Sequence, residues 1–303
     1  MNLLSWNCRG LGAPRTVHEM AKLVKKHNPQ VLFLMETKRK SNEMEWLRVK
    51  WGFDNCLTVE CIRRGGGLAL LWLKSAQVEI LSFSSMHIDA RIGQDGNDKI
   101  WRFTGFYGCP KVINRHRSWE MLRQLHSQSS LPWLCARDFN EIISDEEKMG
   151  GVLRPPRQME NFRQALYDCN LHAVPITGPF FTWSRGKGSN MILERLDRGV
   201  ATDSWFAMFP TVCETHLVAP ISDHTPLLFH VLNKQVRIRG NKKSFRFENI
   251  WVRHEGCAEV VKEAWQQGRI SNPETLAKGL ENCGKLLNIW NREVFGNIQA
   301  RVK

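Results

Sequence analysis

Short apolar runs alternate with helix-forming segments along the first 232 residues, and this alternation is what most constrains the fold. The runs at 31–35, 68–73 and 131–136 have the length and composition of buried strands. Amphipathic segments such as 41–51 and 115–128 lie between such runs. Other strand-like segments alternate apolar and polar residues over a short span. The pattern predicts an α/β sandwich of four layers, with two mixed β-sheets packed face to face and helices outside.

Residues 233–303 differ in character from the segment before them. Residues 234–243 form a basic linker, and the pattern from Trp251 onward is helical. Two apolar stripes at helical spacing lie within 257–265 and 276–290. The sequence therefore predicts a domain over 1–232 and a helical extension over 233–303. The helices of the extension have no obvious core of their own, so we expect them to pack on a segment that this chain lacks.

Two local motifs mark element boundaries. Residues 16–19 (Thr-Val-His-Glu) match a capping box and predict the start of a helix there. The glycine-rich turn at 186–189 separates strand-like segments at 180–184 and 191–196, which predicts a β-hairpin.

The charge balance points to a polyanionic partner. The chain has 43 Lys and Arg against 30 Asp and Glu, a net charge of +13 that divides into +6 for residues 1–232 and +7 for the rest. Such basicity favours nucleic acid as the partner, with a contribution to solubility alone as the alternative explanation.

Cysteine usage and hydropathy narrow the class of protein further. Nine cysteines without a Cys-x-x-Cys pair argue against a zinc site and a disulfide framework, and they fit a reducing compartment. The longest strictly apolar run has six residues, against about 20 for a membrane span. The start of the chain also lacks a basic segment followed by a long apolar one, so we expect no membrane partner and no secretory signal.

Polar side chains stand at the ends of the predicted strands, where ligands bind in α/β folds. Carboxylate and amide oxygens suit Mg²⁺ or Mn²⁺, and amide or imidazole donors can stabilise charge on a phosphate. The candidate residues are Asn7, Glu36, Tyr107, Asp138, Asn140, Asp197, Asp223 and His224.

Six motifs stand in one order over residues 1–232. They are Ser5-Trp6-Asn7, Met35-Glu36-Thr37-Lys38, Gly105-Phe106-Tyr107-Gly108, Asp138-Phe139-Asn140, Arg195-Leu196-Asp197-Arg198 and Ser222-Asp223-His224. By these motifs the chain resembles the endonuclease/exonuclease/phosphatase superfamily and is most similar to the endonuclease domain of plant LINE-type (non-LTR) retrotransposons. In that family such a tail leads toward a reverse transcriptase, and we expect that segment to be absent from this chain.

The resemblance implies a metal-dependent DNA endonuclease that uses Mg²⁺ (or Mn²⁺) and no small-molecule cofactor. Hydrolysis of a phosphodiester would proceed in line and leave a 3′-hydroxyl and a 5′-phosphate. Glu36 would be the principal metal ligand, with Asn7 beside it. Asp138 would activate or orient the attacking water. DNA as the substrate implies access to the nucleus.

The same resemblance assigns the remaining site residues. Asn140 and Tyr107 would hold the scissile phosphate. His224 would stabilise the developing charge on that phosphate, and Asp223 would orient His224. Asp197 would support this histidine or the metal.

Two positions depart from the family pattern. Arg9 stands where the apurinic branch carries an acid, which favours the retroelement branch over an apurinic/apyrimidinic repair endonuclease. Arg137 stands where the family has glycine directly before Asp138, so we expect nicking to be impaired relative to the family. A catalytically dead remnant that binds nucleic acid is the third alternative.

Several basic residues are candidates for contact with the DNA backbone, with solvated turns as the alternative explanation. These candidates are Arg9, Lys38, Arg63, Arg64, Arg185 and Lys187.

Overall fold

The computed structural model describes residues 1–61, 66–93, 99–218, 221–231, 251, 254–266 and 273–294. Two compact units divide the chain, Met1–Gln235 and Val236–Lys303. Among the described residues, no helix combines the length and the apolar character needed to cross a bilayer. All nine cysteines lie in the described ranges, and none of them is part of a disulfide.

Strands and helices alternate along the first unit. Its helices are α1 Pro14–His27, α2 Ser41–Trp51, α3 Arg115–Ser127, α4 Pro156–Asp168 and α5 Asp203–Met208, with 3₁₀ turns at Lys74–Ala76, Val112–Asn114, Asp145–Glu147 and Gly188–Asn190. Its strands are β1 Asn2–Asn7, β2 Val31–Met35, β3 Asn55–Val59, β4 Leu68–Trp72, β5 Val78–Ser84, β6 His87–Ile92, β7 Trp101–Tyr107, β8 Trp133–Asp138, β9 Lys148–Met149, β10 His172–Ala173, β11 Ile176–Thr177, β12 Trp183–Arg185, β13 Ile192–Glu194, β14 Asp197–Ala201, β15 Glu214–His216 and β16 Leu227–His230.

Two mixed sheets form the frame of this unit. One has the strand order β11-β15-β16-β1-β2-β4-β3, and the other has the order β10-β14-β8-β7-β6-β5. At the centre of the first sheet β1 and β2 run parallel, and in the second sheet β7 and β8 run parallel. A small third sheet of β12, β13 and β9 contains the predicted hairpin.

Apolar residues on both faces of each sheet produce four layers. The inner faces share one core, in which the rings of Phe33 and Phe103 meet edge to face at 6.1 Å. The outer face of the first sheet packs on α1 and α2, and that of the second packs on α3 and α4. The predicted four-layer α/β sandwich is therefore confirmed.

One glycine is required by the contact between the sheets. A Cβ on Gly105 of β7 would approach the ring carbons of Phe33 to 2.4 Å, well inside van der Waals contact. Gly105 thus lets the two sheets approach each other closely beside the strand that ends at Tyr107.

The start of α1 differs from the prediction. The helix begins at Pro14 rather than after Thr16, and its N-cap residue Ala13 makes no side-chain cap. Proline at the first helical position fixes φ near the helical value and lacks the N–H that would be left unbonded. The residues of the predicted capping box therefore lie inside the first turns.

The second unit contains two helices, α6 Glu255–Gln266 and α7 Pro273–Val294. Their apolar stripes pack on each other and on Trp251, and they bury Cys257, Ala264, Cys283 and Leu287. The indole rings of Trp251 and Trp290 meet edge to face at 6.2 Å. The expectation that these helices lack a core of their own is wrong, because the two stripes are complementary.

Candidate active site

Parallel strand pairs bring the predicted polar residues to one edge of each sheet. In the first sheet Asn7 at the end of β1 pairs with Met35 of β2, and Glu36 follows directly. In the second sheet Tyr107 at the end of β7 pairs with Asp138 at the end of β8. Because parallel strands end at the same edge of a sheet, each pair of side chains lies together.

Antiparallel partners add the remaining residues. Strand β14 begins with Asp197, which lies directly opposite Asp138. His224 precedes β16, the antiparallel neighbour of β1, and its carbonyl accepts a hydrogen bond from Trp6 Nε1 at 3.0 Å. The hydroxyl of Ser222 donates to the carbonyl of Asn7 at 2.9 Å. Trp6 and Ser222 thus hold the two segments together.

Asn7 joins the two sheets at the site. Its Nδ2 donates to Glu36 Oε1 at 3.1 Å and to Asp138 Oδ2 at 3.0 Å. The hydroxyl of Tyr107 donates to the same oxygen of Glu36 at 3.0 Å. Four residues from four strand ends therefore form one hydrogen-bonded group.

Glu36 is held in its charged form. Burial alone would raise its pKa, but hydrogen bonds from Asn7 and Tyr107 and the charges of Lys38 and Arg9 keep the pKa below the ordinary value. The Nζ of Lys38 lies 3.5 Å from Glu36 Oε2. Burial and the neighbouring carboxylates of Glu36 and Asp138 raise the pKa of Tyr107, so that its hydroxyl remains a donor.

His224 and Asp197 form a buried hydrogen-bonded pair. His224 Nδ1 lies 2.8 Å from Asp197 Oδ2, and His224 Nε2 lies 3.8 Å from Asp138 Oδ2. Burial opposes the charged imidazolium, but the charges of Asp197 and Asp138 and the hydrogen bond to Asp197 outweigh it and raise the pKa of His224 to about 9. The histidine is therefore cationic at neutral pH.

The predicted orienting role of Asp223 is wrong. Its Oδ2 instead forms an ion pair with Arg9 and accepts a hydrogen bond from Trp183 Nε1 at 3.0 Å. Asp197 makes the contact with the imidazole of His224. Asp223 lies in a bend, and its Oδ2 is engaged by Arg9 and Trp183, so it is the carboxylate of Asp197 that contacts the imidazole.

Asn140 lies beside Asp138 in a turn. Its backbone N–H donates to Asp138 Oδ1 at 2.9 Å, and its Nδ2 donates to the carbonyl of Gly108 at 3.0 Å. A Cβ on Gly108 would lie 2.6 Å from the carbonyl oxygen of Phe139, so glycine is required for this close approach. Gly108 is not among the predicted site residues, although it stands inside one of the quoted motifs.

The donor set fits a hard divalent cation on the Glu36 side of the site. Glu36 and Asp138 supply carboxylate oxygens, and Asn7 lies between them. Ligand atoms of Asp138, Asp197 and His224 also lie within 4.8 Å of one another. There the Nδ1 of His224 is engaged with Asp197, so the oxygen-rich Glu36 side is the better match to Mg²⁺.

The basic candidates are distributed over several places. Arg9 and Lys38 belong to the site, where Lys38 Nζ also donates to the carbonyl of Arg9 at 3.2 Å. Arg185 and Lys187 are exposed on the hairpin of β12 and β13. At the base of that hairpin, Trp183 forms a β-bridge with His224. Arg63 and Arg64 lie outside the described residues.

Arg137 occupies β8 immediately before Asp138. Its backbone pairs with Phe106 of β7 and Arg198 of β14, both of which are fully buried. Its side chain lies outside the described part of the structure.

Carboxylate, amide and imidazole groups that converge at the strand ends of two face-packed sheets define a site of the phosphate-ester hydrolase type. The chain belongs to the Endonuclease/Exonuclease/phosphatase family, whose sequence model matches residues 4–224. A comparison with curated protein sequences gives no match.

Solved structures share the fold. The 3′-5′ exonuclease NExo from Neisseria meningitidis is 17% identical, with a TM-score of 0.59 over 76% of this chain and 99% of that one. The endonuclease domain of TRAS1, a telomere-specific non-LTR retrotransposon, is 13% identical, with a TM-score of 0.56 over 77% and 99%. The AP endonuclease LMAP from Leishmania major is 17% identical, with a TM-score of 0.60 over 75% and 86%. The fold is thus of the nuclease type.

Proposed function

We propose that this chain is a Mg²⁺-dependent DNA endonuclease that hydrolyses a phosphodiester and leaves a 3′-hydroxyl and a 5′-phosphate. One observation carries the proposal: Asp138 lies between the Asn7–Glu36 group on one side and the His224–Asp197 pair on the other. A phosphate bound here would lie within reach of both the Asn7–Glu36 group and the His224–Asp197 pair. Asp138 could then accept a proton from a water molecule beside that phosphate.

The metal side of the proposed site consists of Glu36 and Asn7. A bound Mg²⁺ would supply Lewis acidity to a phosphate oxygen. The lowered pKa of Glu36 keeps this carboxylate ionised over the physiological range. Tyr107 donates to Glu36 and fixes its orientation.

The residues on the other side of the proposed site bind the scissile phosphate and activate the attacking water. Asp138 orients and deprotonates the attacking water. His224 is a cation because of Asp197 and Asp138, so its role is to stabilise negative charge that develops on the phosphate. Asn140, fixed by Gly108 and Asp138, offers its amide to the same phosphate.

The substrate is proposed to be target DNA that a retroelement nicks to expose a 3′-end. Residues 6–12 (Trp-Asn-Cys-Arg-Gly-Leu-Gly) and 138–141 (Asp-Phe-Asn-Glu) resemble the corresponding segments of plant LINE-type elements, which supports this origin. The basic charge supports a polyanionic substrate. A DNA target also makes the nucleus the proposed place of action.

Nicking of supercoiled plasmid in Mg²⁺ tests the proposal. The parent should convert supercoiled to open-circular DNA, and chelation should abolish this activity. His224→Ala and Asp138→Ala should each reduce the rate at least about 100-fold, which is the scale for losing a positioned acid–base group or a transition-state donor. His172→Ala, at an exposed histidine of β10, is the matched control and should retain the parental rate.

The alternatives give different results in the same assay. Strong preference for a duplex with one abasic site over intact DNA would support a repair endonuclease. A parent that binds DNA but nicks neither substrate in Mg²⁺ or Mn²⁺ would support the catalytically dead remnant.

A further inference from the structure

An ion pair lies at one side of the site, and the proposed chemistry gives neither of its residues a contact with the substrate. Arg9, in the loop after β1, pairs through Nη1 with Asp223 Oδ2, 214 residues along the chain. The side chain of Arg9 is 51% exposed and that of Asp223 is 21% exposed. The pair therefore lies at the surface, within reach of a bound polyanion.

The backbone of Arg9 is fixed by residues of the site itself. Its N–H donates to Asn7 Oδ1 at 3.2 Å, and its carbonyl accepts from Lys38 Nζ at 3.2 Å. Its φ of +52° is in the left-handed region, which a side chain of this size rarely adopts without such support. The guanidinium is close enough to Glu36 and Tyr107 to interact with both electrostatically. Arg9 thus occupies a defined position next to the candidate metal ligand.

Asp223 is held from the opposite side. Trp183 Nε1 donates to its Oδ2 at 3.0 Å, and its carbonyl accepts from the N–H of Ser184 at 3.0 Å. Among the described residues its second oxygen, Oδ1, is buried without a hydrogen-bond partner. Asp223 is therefore fixed in place independently of Arg9, and it would remain there if Arg9 turned away.

We propose that Arg9 binds a backbone phosphate of the nucleic acid, and that Asp223 competes with this phosphate for the guanidinium. In the free protein the guanidinium pairs with Asp223, and in the complex it turns to the phosphate of the nucleic-acid backbone next to the scissile one. Asp223 thereby lowers the affinity of the free protein for phosphate at this position. The proposal rests on the proposed function in one respect, namely that DNA is the substrate.

The exchange of partners is favoured by the chemistry of both groups. A partly exposed ion pair at the surface contributes little to stability, because water screens it and two side chains must be ordered. The planar guanidinium matches the two oxygens of a phosphate, and the contact strengthens as bound DNA excludes water from the cleft. A backbone phosphate can therefore compete successfully for Arg9.

A double-mutant cycle on DNA binding tests the proposal. Affinity is measured by fluorescence anisotropy with a fluorescein-labelled duplex in the presence of a chelator, so that no cleavage occurs. Asp223→Asn should bind about two- to fivefold more tightly than the parent, since the energy of an exposed ion pair corresponds to this range. Arg9→Ala should bind more weakly and should reduce the slope of log K against log salt by about 0.9, the value for one phosphate contact. In the Arg9→Ala background, Asp223→Asn should have no further effect.

The exposed pair of Arg123 and Asp168 provides the matched control. Its side chains are 41% and 32% exposed, and it lies between α3 and α4. Asp168→Asn removes the same charge from a similar pair, and it should leave DNA affinity unchanged.

Three outcomes would overturn the proposal. If Asp223→Asn also tightens DNA binding in the Arg9→Ala background, the effect is a general one of removing negative charge. Equal tightening by Asp168→Asn would lead to the same conclusion. Parental affinity and salt slope in Arg9→Ala would show that Arg9 contacts no phosphate. In each of these cases the parent still binds DNA, and plasmid nicking tests the proposed function separately. A parent that binds no DNA would contradict both proposals.

Discussion

Unusual backbone conformations are concentrated around the site. Arg9, Glu36, Lys38 and Asn140 all have φ between +51° and +54°, a region that non-glycine residues seldom occupy. Each follows the end of a strand by no more than three residues. Strain of this kind persists only where surrounding contacts determine the geometry. The hydrogen bonds of Asn7, Tyr107 and Asp138 provide those contacts.

His224 should make the stability of the protein depend on pH. Its pKa of about 9 in the folded state exceeds the ordinary value of 6.5, because the folded state stabilises the imidazolium. This contribution is complete below about pH 6.5 and is lost as pH rises to about 9. The shift corresponds to a free energy of unfolding on the order of 3 kcal/mol.

Urea titrations in chelator at pH 6, 7.5 and 9 measure this dependence. The parent should lose stability across the series, and His224→Gln should lose much less, so that the two curves converge at high pH. Parallel curves for the two proteins would contradict the assignment.

Arg137 is the position at which we expect activity to be impaired. Glycine there would let the neighbouring backbone approach, whereas arginine must be accommodated one residue before Asp138. A displacement of Asp138 by about 1 Å can cost about 100-fold in rate. Arg137→Gly should therefore raise nicking about tenfold or more, and Arg137→Ala should raise it less. A glycine variant no faster than a parent that already nicks well would show that arginine is tolerated.

A buried set of ion pairs supports the strand that presents Asp197. Arg195 and Arg198 flank Asp197, and both contact Glu147 of the 3₁₀ turn Asp145–Glu147. Arg198 Nη1 donates to Glu147 Oε1 at 2.9 Å, and Arg198 Nη2 donates to the carbonyl of Arg195 at 2.7 Å. The N–H of Ile143 donates to Glu147 Oε2 at 2.7 Å. Glu147 thus ties the loop after Asn140 to the start of β14.

Glu147→Gln should destabilise the fold and reduce activity together. It leaves the fully buried charge of Arg198 without its partner, and breaking a buried pair in this way costs about 3–5 kcal/mol. Urea denaturation measures the loss. Glu160→Gln, in the exposed pair with Arg163, is the matched control and should cost less than about 1 kcal/mol. Equal losses in the two variants would contradict a structural role for the buried pair.

The strand ends could be predicted from sequence, but the contacts of His224 only in part. Asn7, Glu36, Tyr107 and Asp138 each follow a strong apolar run, and parallel pairing then places them together. The resemblance implied two carboxylates for His224, with Asp223 to orient it and Asp197 to support it or the metal. The contact forms with Asp197, because the register of β14 against β8 places Asp197 opposite Asp138. Nothing local in the sequence encodes that register.

The same limit applies to the second unit. The apolar stripes of α6 and α7 were evident, but their complementarity depends on how two helices meet, with Cys257 and Ala264 against Cys283 and Leu287. Amphipathic periodicity shows which face is buried, not what covers it.

At the scale of the whole molecule, both units carry net positive charge, and we expect them to have different tasks. The catalytic candidates all lie within Met1–Gln235, whereas residues 233–303 carry a net charge of +7 and none of the candidate residues. Neutralising a phosphate releases counterions from DNA, so binding by such a segment weakens steeply with salt. We therefore expect the second unit to add affinity without adding chemistry.

A shortened chain that ends near residue 232 tests this division. At saturating DNA it should nick at the parental rate, because Asp138, His224 and Glu36 remain in place. Its slope of log K against log salt should be shallower, by about 0.9 for each phosphate that the second unit contacts. Anisotropy titrations between about 50 and 200 mM salt measure both slopes. Over roughly this range, several phosphate contacts change DNA affinity by orders of magnitude. Equal slopes would show that helices α6 and α7 contact another protein and not DNA. A lower rate at saturating DNA would show that they support the site itself.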